Sequence, residues 1–428
     1  MAALRRRGRK VASAKVGPDF IDPGYHALAT GRPARNLDPW MSGPEAIRPL
    51  AARAAAGADI LVVEGVMGLF DGAADRTASS SAEVARRLGA AVVLVVDASS
   101  MSQSVAALVH GYRSWDPALE LAGVILNRVG SDSHEAMLRE SLAAGSGAAG
   151  GAPVVEVLGV LRRHDELAWR SRHLGLLPIA EDPGGVRASI DRLAAVIETG
   201  CDVDRIESAA AAASPCVVPA PAGPAFAGRA RVAVAAGPAF SFAYPDNLEA
   251  FAAAGAEVVF FDPCSDEALP LGTQAVVAGG GFPEVFAEAL SANRPMLESI
   301  GAHHRRGGVL WAECGGLLWL AQCLDGWPMA GVVDTAARLT DRRVLGYRSA
   351  ETVGTTPLGP AGTTFRGHEF HYSATDPPGA ALRLAGRHGA STTGFASPRL
   401  LASYIHVHLG AAPALAEAFV RTAAAARP

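Results

Sequence analysis

Short apolar runs of strand length recur along the chain, separated by helical patterns and glycine-rich turns. In the first half they fall at Val11–Lys15, Ile60–Val63, Val92–Val96 and Gly123–Leu126, with a weaker run at Leu174–Pro178. Ser81–Leu88 and His134–Ala144 carry helical spacing between them. Ser42, with Glu45 three residues on, predicts a capping box opening a helix toward Ala56 that kinks at Pro49. From Ser208 to Arg229 alanine, proline and glycine dominate and no period survives, the signature of a linker. Strand-like runs resume at Arg231–Ala235, Glu257–Phe261, Ala275–Ala278 and Val309–Trp311. Strands alternating with helices predict parallel sheets covered on both faces. The expected fold class is therefore α/β, with two doubly wound domains at residues 1–205 and 230–428 joined by a linker at 206–229.

One junction departs from plain patterning. In Val309-Leu310-Trp311-Ala312-Glu313-Cys314-Gly315-Gly316-Leu317-Leu318 an apolar run meets a cysteine, and two glycines let the backbone turn at once into an apolar helix. Such a strand-to-helix turn exposes a nucleophile above a sheet. Helix N-terminal amides behind it favour thiolate over thiol. A cysteine nucleophile needs an imidazole to take its proton and return it to a leaving amine. The strand-like run Leu400–Leu409 supplies His406 and His408, which period-two alternation puts on one face. The run Ala275–Ala278 ends in Gly279-Gly280-Gly281, whose bare amides suit an oxyanion or simply a turn.

Cysteine elbow, glycine-tipped strand and distal histidine together resemble a class I glutamine amidotransferase domain spanning about 230 to 425. The resemblance implies that Cys314 attacks the glutamine amide, that His406 is its general base, and that ammonia is released. The family's usual acid two residues after the histidine is absent; His408 stands there, leaving a Cys–His pair.

The first half offers two loop clusters past strand ends, where open parallel sheets bind ligands. One runs from Lys15 to His26 and contains Asp19 and Asp22; the other runs from Glu64 to Gly72 and contains Asp71. Carboxylates on glycine-rich loops suit Mg²⁺ held together with phosphate oxygens. Asp97–Ser100, after Val92–Val96, reads equally as part of that cleft or as a helix cap.

Composition narrows the classes. Half of the 428 residues are apolar and the net charge is −4, which gives no electrostatic basis for nucleic acid or an anionic membrane as partner. No apolar run reaches the roughly 18 residues of a membrane span, and the basic start Arg5-Arg6-Arg7 leads into no signal-peptide core. A cytoplasmic protein is expected. The cysteines are odd in number, five, with no C-x-x-C pair, which argues against a disulfide framework or structural zinc.

Wording at Lys15–His26, Gly31–Met41, Glu64–Gly72, Ser241–Asn247 and Gly367–Ser373 resembles cobyrinic acid a,c-diamide synthase over nearly the whole chain. That resemblance implies a dethiobiotin-synthetase-like ATPase domain followed by the glutaminase domain. The implied activity belongs to cobalamin biosynthesis: ATP phosphorylates the a and c carboxylates of cobyrinic or hydrogenobyrinic acid, and glutamine-derived ammonia, held neutral along an enclosed route, displaces the phosphate. It implies Glu64 as Mg²⁺ ligand, with Asp19, Asp22 and Asp71 orienting nucleotide, metal or ring carboxylate. It is compatible with a homodimer. His368 and His371 are placed on the glutaminase-domain surface without a role.

The chain departs from the family in lacking the G-x-x-x-x-G-K-[ST] phosphate loop and the strand before it. Met1–Gly8 resembles the end of the helix that normally follows that loop. A chain starting so is expected to fail at ATP-dependent amidation, to keep glutamine hydrolysis, and to expose two unpaired edges of its first sheet. Two further readings stay open: cobyric acid synthase-like amidation of other side chains, and a non-catalytic tetrapyrrole-binding subunit.

Overall fold

A computed structural model of the protein describes residues 1–428 apart from 74–78, 149–154, 164–170, 173–174, 177–178, 180–181, 212–228, 388 and 428. The chain forms two compact units, Met1–Leu37 with Ile47–Pro219, and Asp38–Ala46 with Ala220–Pro428.

In the first unit β1 (Val11–Val16) pairs in parallel with β2 (Arg35–Leu37) on one side and β3 (Ile60–Glu64) on the other. A second parallel sheet contains β4 (Val92–Asp97), β5 (Leu121–Val129) and β6 (Val157–Arg162), in the order β4-β5-β6. Among the described residues no strand pairs with the remaining edge of β3 or of β4. The apolar sequences of both strands are consequently only partly covered, and Val95 is 58% exposed, whereas β1 is buried along its length. Short strands β7 (Ser171–Arg172) and β8 (Gly175–Leu176) pair antiparallel. Of the weak run Leu174–Pro178, residues 175–176 are β8 and the rest lie outside the described residues.

Helix Ser81–Leu88 forms where its signals place it. Ser80 Oγ accepts the Glu83 amide, Glu83 reaches back to the Ser79 amide, and Gly89 closes the end at φ +62°. The helix expected from Ser42 does not begin there. A short helix Pro39–Ser42 is capped by Asp38, whose side chain accepts the Trp40 and Met41 amides, and the longer helix starts only at Ile47. Pro49 thus falls in a first turn, where a missing N–H costs nothing and no kink follows. Helix Val203–Ala210 runs into the first residues of the expected linker, of which 212–228 lie outside the described residues.

The second unit is built on β9 (Ala230–Ala235), β10 (Ala256–Phe261), β11 (Ala275–Ala278) and β12 (Val309–Glu313). A second group follows: β13 (Cys323–Leu324), β14 (Trp327–Pro328), β15 (Ala336–Thr352), β16 (Thr364–Asp376), β17 (Leu382–Gly386) and β18 (Gly389–Thr393). β19 (Phe395–Ser397), β20 (Leu400–Ser403) and β21 (His406–Val407) complete it. The main sheet runs β10-β9-β11-β12-β20-β19, parallel except for β19. Alternate residues feed two cores. Leu310, Ala312, Val276 and Ala233 face Trp319 and Ile300, while Trp311, Ala275 and Val232 face Phe251 and Phe419. A side chain such as Trp311, 2% exposed and edge-on to both Phe251 and Phe419, is worth about 3–5 kcal/mol on truncation to alanine.

The other sheet, β14-β13-β15-β16-β21 with β17 and β18 off β15, has no counterpart in the sequence reading. The run Leu400–Leu409, expected as one strand, is divided: β20 belongs to the main sheet and β21 pairs antiparallel with β16 in the other. The break at Tyr404–Ile405 delivers His406 opposite His368.

Candidate functional site

Cys314 ends β12 and caps the helix Gly315–Leu320 at φ +48° and ψ −103°, a left-handed conformation strained for any non-glycine residue. Its own amide donates to the Ser403 carbonyl (2.8 Å), which ties the turn to β20. Gly316 donates to the Gly279 carbonyl (2.9 Å), and a Cβ on Gly316 would stand 2.1 Å from the Ala278 carbonyl oxygen. The second glycine is thus required by the close approach of β11, as the elbow reading expects.

His406 meets this turn from the neighbouring chain segment. It is 2% exposed and its imidazole is hydrogen-bonded to the Cys314 thiol. Burial disfavours the imidazolium, but hydrogen bonds and charge from Cys314 and Glu313 outweigh it and raise the His406 pKa to about 9. The glycine tip lies here too: a Cβ on Gly280 would come within 2.5 Å of His406 Cε1, and the Gly281 nitrogen lies 3.2 Å from where a Gly315 Cβ would stand. Cysteine, histidine and glycine-tipped strand, which sequence reading joined only by resemblance, are therefore adjacent.

The neighbours of His406 are more specific than expected. Glu313 turns to the sheet face opposite Cys314; its Oε1 accepts the Val407 amide (3.1 Å) and its Oε2 lies 3.6 Å from His406 Nδ1. His368 stacks on His406 and pairs through Nε2 with the Tyr244 hydroxyl (3.1 Å). His371 stacks on Tyr404 with ring centroids 3.7 Å apart. His368 and His371 are 3% and 8% exposed, so their placement on the surface is corrected: both lie buried on β16, which pairs with the segment carrying His406. Burial holds His371 down to about 4 and His368 well below its ordinary value.

His408 does not share the His406 environment. It stands 3.6 Å from Asp246, packs against Tyr244 with the rings tilted by 60° and meets the Ser42 hydroxyl (3.3 Å). Asn247 clamps the stretch between them, donating to the Val407 carbonyl and accepting the Leu409 amide, each at 2.7 Å. The motif Ser241–Asn247 is thereby placed: Tyr244, Asp246 and Asn247 hold the segment that carries His406 and His408.

In the first unit the structure gathers Asp22 and Glu64 around a residue the sequence reading gave no role. Lys15, 5% exposed, bonds Asp22 Oδ2 (2.7 Å), Glu64 Oε1 (3.3 Å) and the Gly65 carbonyl (3.1 Å). Burial opposes the ammonium, yet Asp22 and Glu64 raise its pKa. His26 pairs with the other Glu64 oxygen. Burial would raise the Glu64 pKa, but His26 and Lys15 hold it below the ordinary value. Asp19 is turned inward, accepting the Ile21 (2.7 Å) and Asp22 (3.0 Å) amides, and burial followed by the Asp22 charge raises its pKa. Asp71 closes its own turn by accepting the Gly68 amide (3.0 Å). Asp97 does likewise with the Ser99 amide (3.0 Å) and pairs with Arg128. Among the described residues no group of three or more histidine, cysteine or acidic side chains is placed to hold a metal. Cys201, Cys264, Cys314 and Cys323 are free thiols, and no described helix is long and apolar enough to cross a membrane.

Comparisons with known proteins agree with both halves. Residues 1–176 match the CobQ/CobB/MinD/ParA nucleotide binding domain, and residues 231–414 match the CobB/CobQ-like glutamine amidotransferase domain. A hydrogenobyrinate a,c-diamide synthase of Streptomyces coelicolor is 47% identical, over 98% of this chain and 92% of its own. One of Mycobacterium bovis is 46% identical, over 100% and 94%. A cobyrinate a,c-diamide synthase of Syntrophotalea carbinolica is 42% identical, over 98% and 93%.

Proposed function

The chain belongs to the family of cobyrinate and hydrogenobyrinate a,c-diamide synthases, and we propose that it amidates the a and c acetate carboxylates of a corrin ring with glutamine as nitrogen donor and ATP as activator. Hydrogenobyrinate and cobyrinate, the rings that name its relatives, are the acceptors. The observation that carries the reading is Cys314 at φ +48° with its thiol hydrogen-bonded to His406, in a chain whose other unit gathers acids around a buried lysine at parallel strand ends.

The glutaminase half runs on these residues. His406 takes the Cys314 proton as sulfur attacks the glutamine carboxamide carbon. The amides of Gly281 and Gly315 hold the developing oxyanion. The imidazolium returns its proton to the departing nitrogen, releasing ammonia and a Cys314 thioester. Water, deprotonated by His406, then cleaves the thioester to glutamate.

The other half makes the carboxylate reactive. A carboxylate oxygen is a poor leaving group, so ATP transfers its γ-phosphoryl group to it; ammonia attacks the acyl carbon and phosphate leaves. Lys15 fixes Glu64 and Asp22 at the ends of β1 and β3. Mg²⁺ takes one or two carboxylates and fills its other positions with phosphate oxygens and water, a donor set that Glu64, with its side chain 46% exposed, fits together with Asp22. Bound there, the ion would neutralise phosphate charge. Asp19 and Asp71 shape the two loops. The enzyme works in the cytoplasm, and a homodimer is carried with the family reading.

The test supplies each ring in turn with glutamine and Mg-ATP and follows the products by mass spectrometry. Mono- and diamide should appear with one glutamate and one ADP per amide formed. Glutamine hydrolysis without amide on either ring, both in this chain and in one extended by an upstream G-x-x-x-x-G-K-[ST] phosphate loop, would contradict the reading.

A further inference from the structure

The segment carrying His406 has no acid where a histidine base would ordinarily be oriented, since His408 is turned to Asp246, Tyr244 and Ser42. An imidazole that must alternate between neutral and charged forms needs its far nitrogen held in one tautomer. Two observations show what holds it. The Glu313 carboxylate is 7% exposed, and its Oε1 is anchored by the Val407 amide, the residue next to the base. Its other oxygen stands 3.6 Å from His406 Nδ1, the nitrogen away from the cysteine.

We infer that Glu313, the residue immediately before the nucleophile, is the acid that positions His406, so that one strand end supplies nucleophile and orienting carboxylate to opposite sides of the imidazole. Glu313 is a positioning residue: it touches the base and not the substrate. The geometry follows from strand pleat. Successive side chains of β12 point to opposite faces, so Cys314 is delivered above the sheet edge and Glu313 below it, and His406 arrives across the end of the strand, past the Glu313–Ser403 pairing of β12 with β20. The two polar anchors also explain why a carboxylate is tolerated at so buried a position. Burial pushes the Glu313 pKa up, and His406 with the Val407 amide offsets it. This inference rests on the glutaminase reading of Cys314 and His406.

The charged and titratable groups facing His406 are Cys314 and Glu313 from β12, and His368, Glu369 and His371 from β16, with Glu369 neutralised by Arg348 at 2.7 Å. Of these Cys314 and Glu313 do most to stabilise the imidazolium.

The experiment measures glutamate release against pH in the full chain carrying Glu313→Gln, Glu313→Asp, His408→Gln or Cys314→Ala. Glu313→Gln should lower kcat about 100-fold with KM nearly unchanged, and move the acid limb of the rate profile, where the base loses its proton, down by about one pH unit. Glu313→Asp, which keeps the charge on a shorter stem, should recover part of the rate and of the profile. His408→Gln should leave the limb in place. Wild-type rate and profile in Glu313→Gln, or a shifted limb in His408→Gln instead, overturns the assignment. Should Glu313→Gln not fold, Glu313→Asp decides: a wild-type kcat and an unmoved limb there would also overturn it. Activity surviving in Cys314→Ala would instead remove the glutaminase reading itself.

Discussion

The imidazole of His368 lies on that of His406 with ring centroids 4.9 Å apart and 21° between the planes. Burial, then the His406 charge, keeps His368 neutral, so the His406 imidazole charges beside an uncharged ring. His368→Phe preserves the stacking and loses the Tyr244 bond, worth about 1 kcal/mol. Glutamine turnover should then fall less than about tenfold. His368→Lys sets a cation beside the imidazolium and should cost at least ten times more. Equal losses in the two variants would show that neutrality at 368 does not matter.

Gly280 and Gly316 separate catalysis from folding. A methyl at Gly280 would meet a movable side chain, His406, at 2.5 Å; a methyl at Gly316 would meet the Ala278 backbone carbonyl at 2.1 Å. Gly280→Ala should therefore lose glutamine hydrolysis by about 100-fold or more with a near-native melting temperature. Gly316→Ala should lower the melting temperature of the second unit by several degrees. Calorimetry beside a glutamate-release assay checks both. Full activity in Gly280→Ala would break the link between the glycine tip and the base.

Acid should unfold the second unit early. Burial holds His303 and His371 to about 4, against an ordinary 6.5. Groups neutral when folded gain a proton on unfolding, so their contribution is complete above pH 6.5 and is lost as pH falls toward 4, on the order of 3 kcal/mol apiece. His406, raised to about 9, acts oppositely: its contribution is present below 6.5 and is lost as pH rises to 9. The urea midpoint of this unit should drop sharply from pH 7 to 5 and more gently from 7 to 9. A midpoint at pH 5 equal to that at pH 7 would refute this.

Asp38 is buried and accepts the Tyr347 hydroxyl (2.7 Å) together with two helix amides. Burial outweighs these bonds and raises its pKa. Its contribution is thus present below the ordinary carboxylate range and lost as pH rises through the raised value. Asp38→Asn keeps the acceptor without the charge. It should be at least as stable as the parent at pH 7 and hold no such advantage at pH 4, by thermal denaturation. Equal destabilisation at both pH values would contradict the buried-carboxylate account.

Lys15 stands between Asp22 and Glu64 at 6% side-chain exposure. Lys15→Met leaves two partly exposed acids without their shared cation, Glu64 still paired with His26, and should destabilise the first unit by about 1–3 kcal/mol. Glutamate release, carried by the other unit, should persist. Loss of both together would show that Lys15 also supports the glutaminase.

The local signals were legible and the long-range ones were not. The four strands β9 to β12, helix Ser81–Leu88 and the cysteine elbow each rest on neighbouring residues: apolar runs, a serine cap, a glycine pair. The β15–β16 hairpin escaped notice because only three of the seventeen residues of β15 are buried, so its residues do not alternate apolar and polar. Leu400–Leu409 read as one strand because alternation continues across Tyr404–Ile405, where the chain changes sheets. Asp38–Ala46 lies in sequence among first-unit elements, yet Trp40 stacks on Tyr347 at 4.6 Å and Arg366 lies over Trp40. Spacing carries no trace of such pairing. Glu313 was in plain view beside Cys314, but strand alternation sends the two to opposite faces, and only the arrival of His406 joins them.

The most direct test of the account is labelling with an electrophilic chloroketone analogue of glutamine followed by peptide mass mapping. Cys314 should take the adduct, glutamine should protect it, and His406→Asn should slow labelling about 100-fold. An adduct on Cys201, Cys264 or Cys323 in place of Cys314, or labelling that ignores glutamine, would contradict the nucleophile on which the whole reading depends.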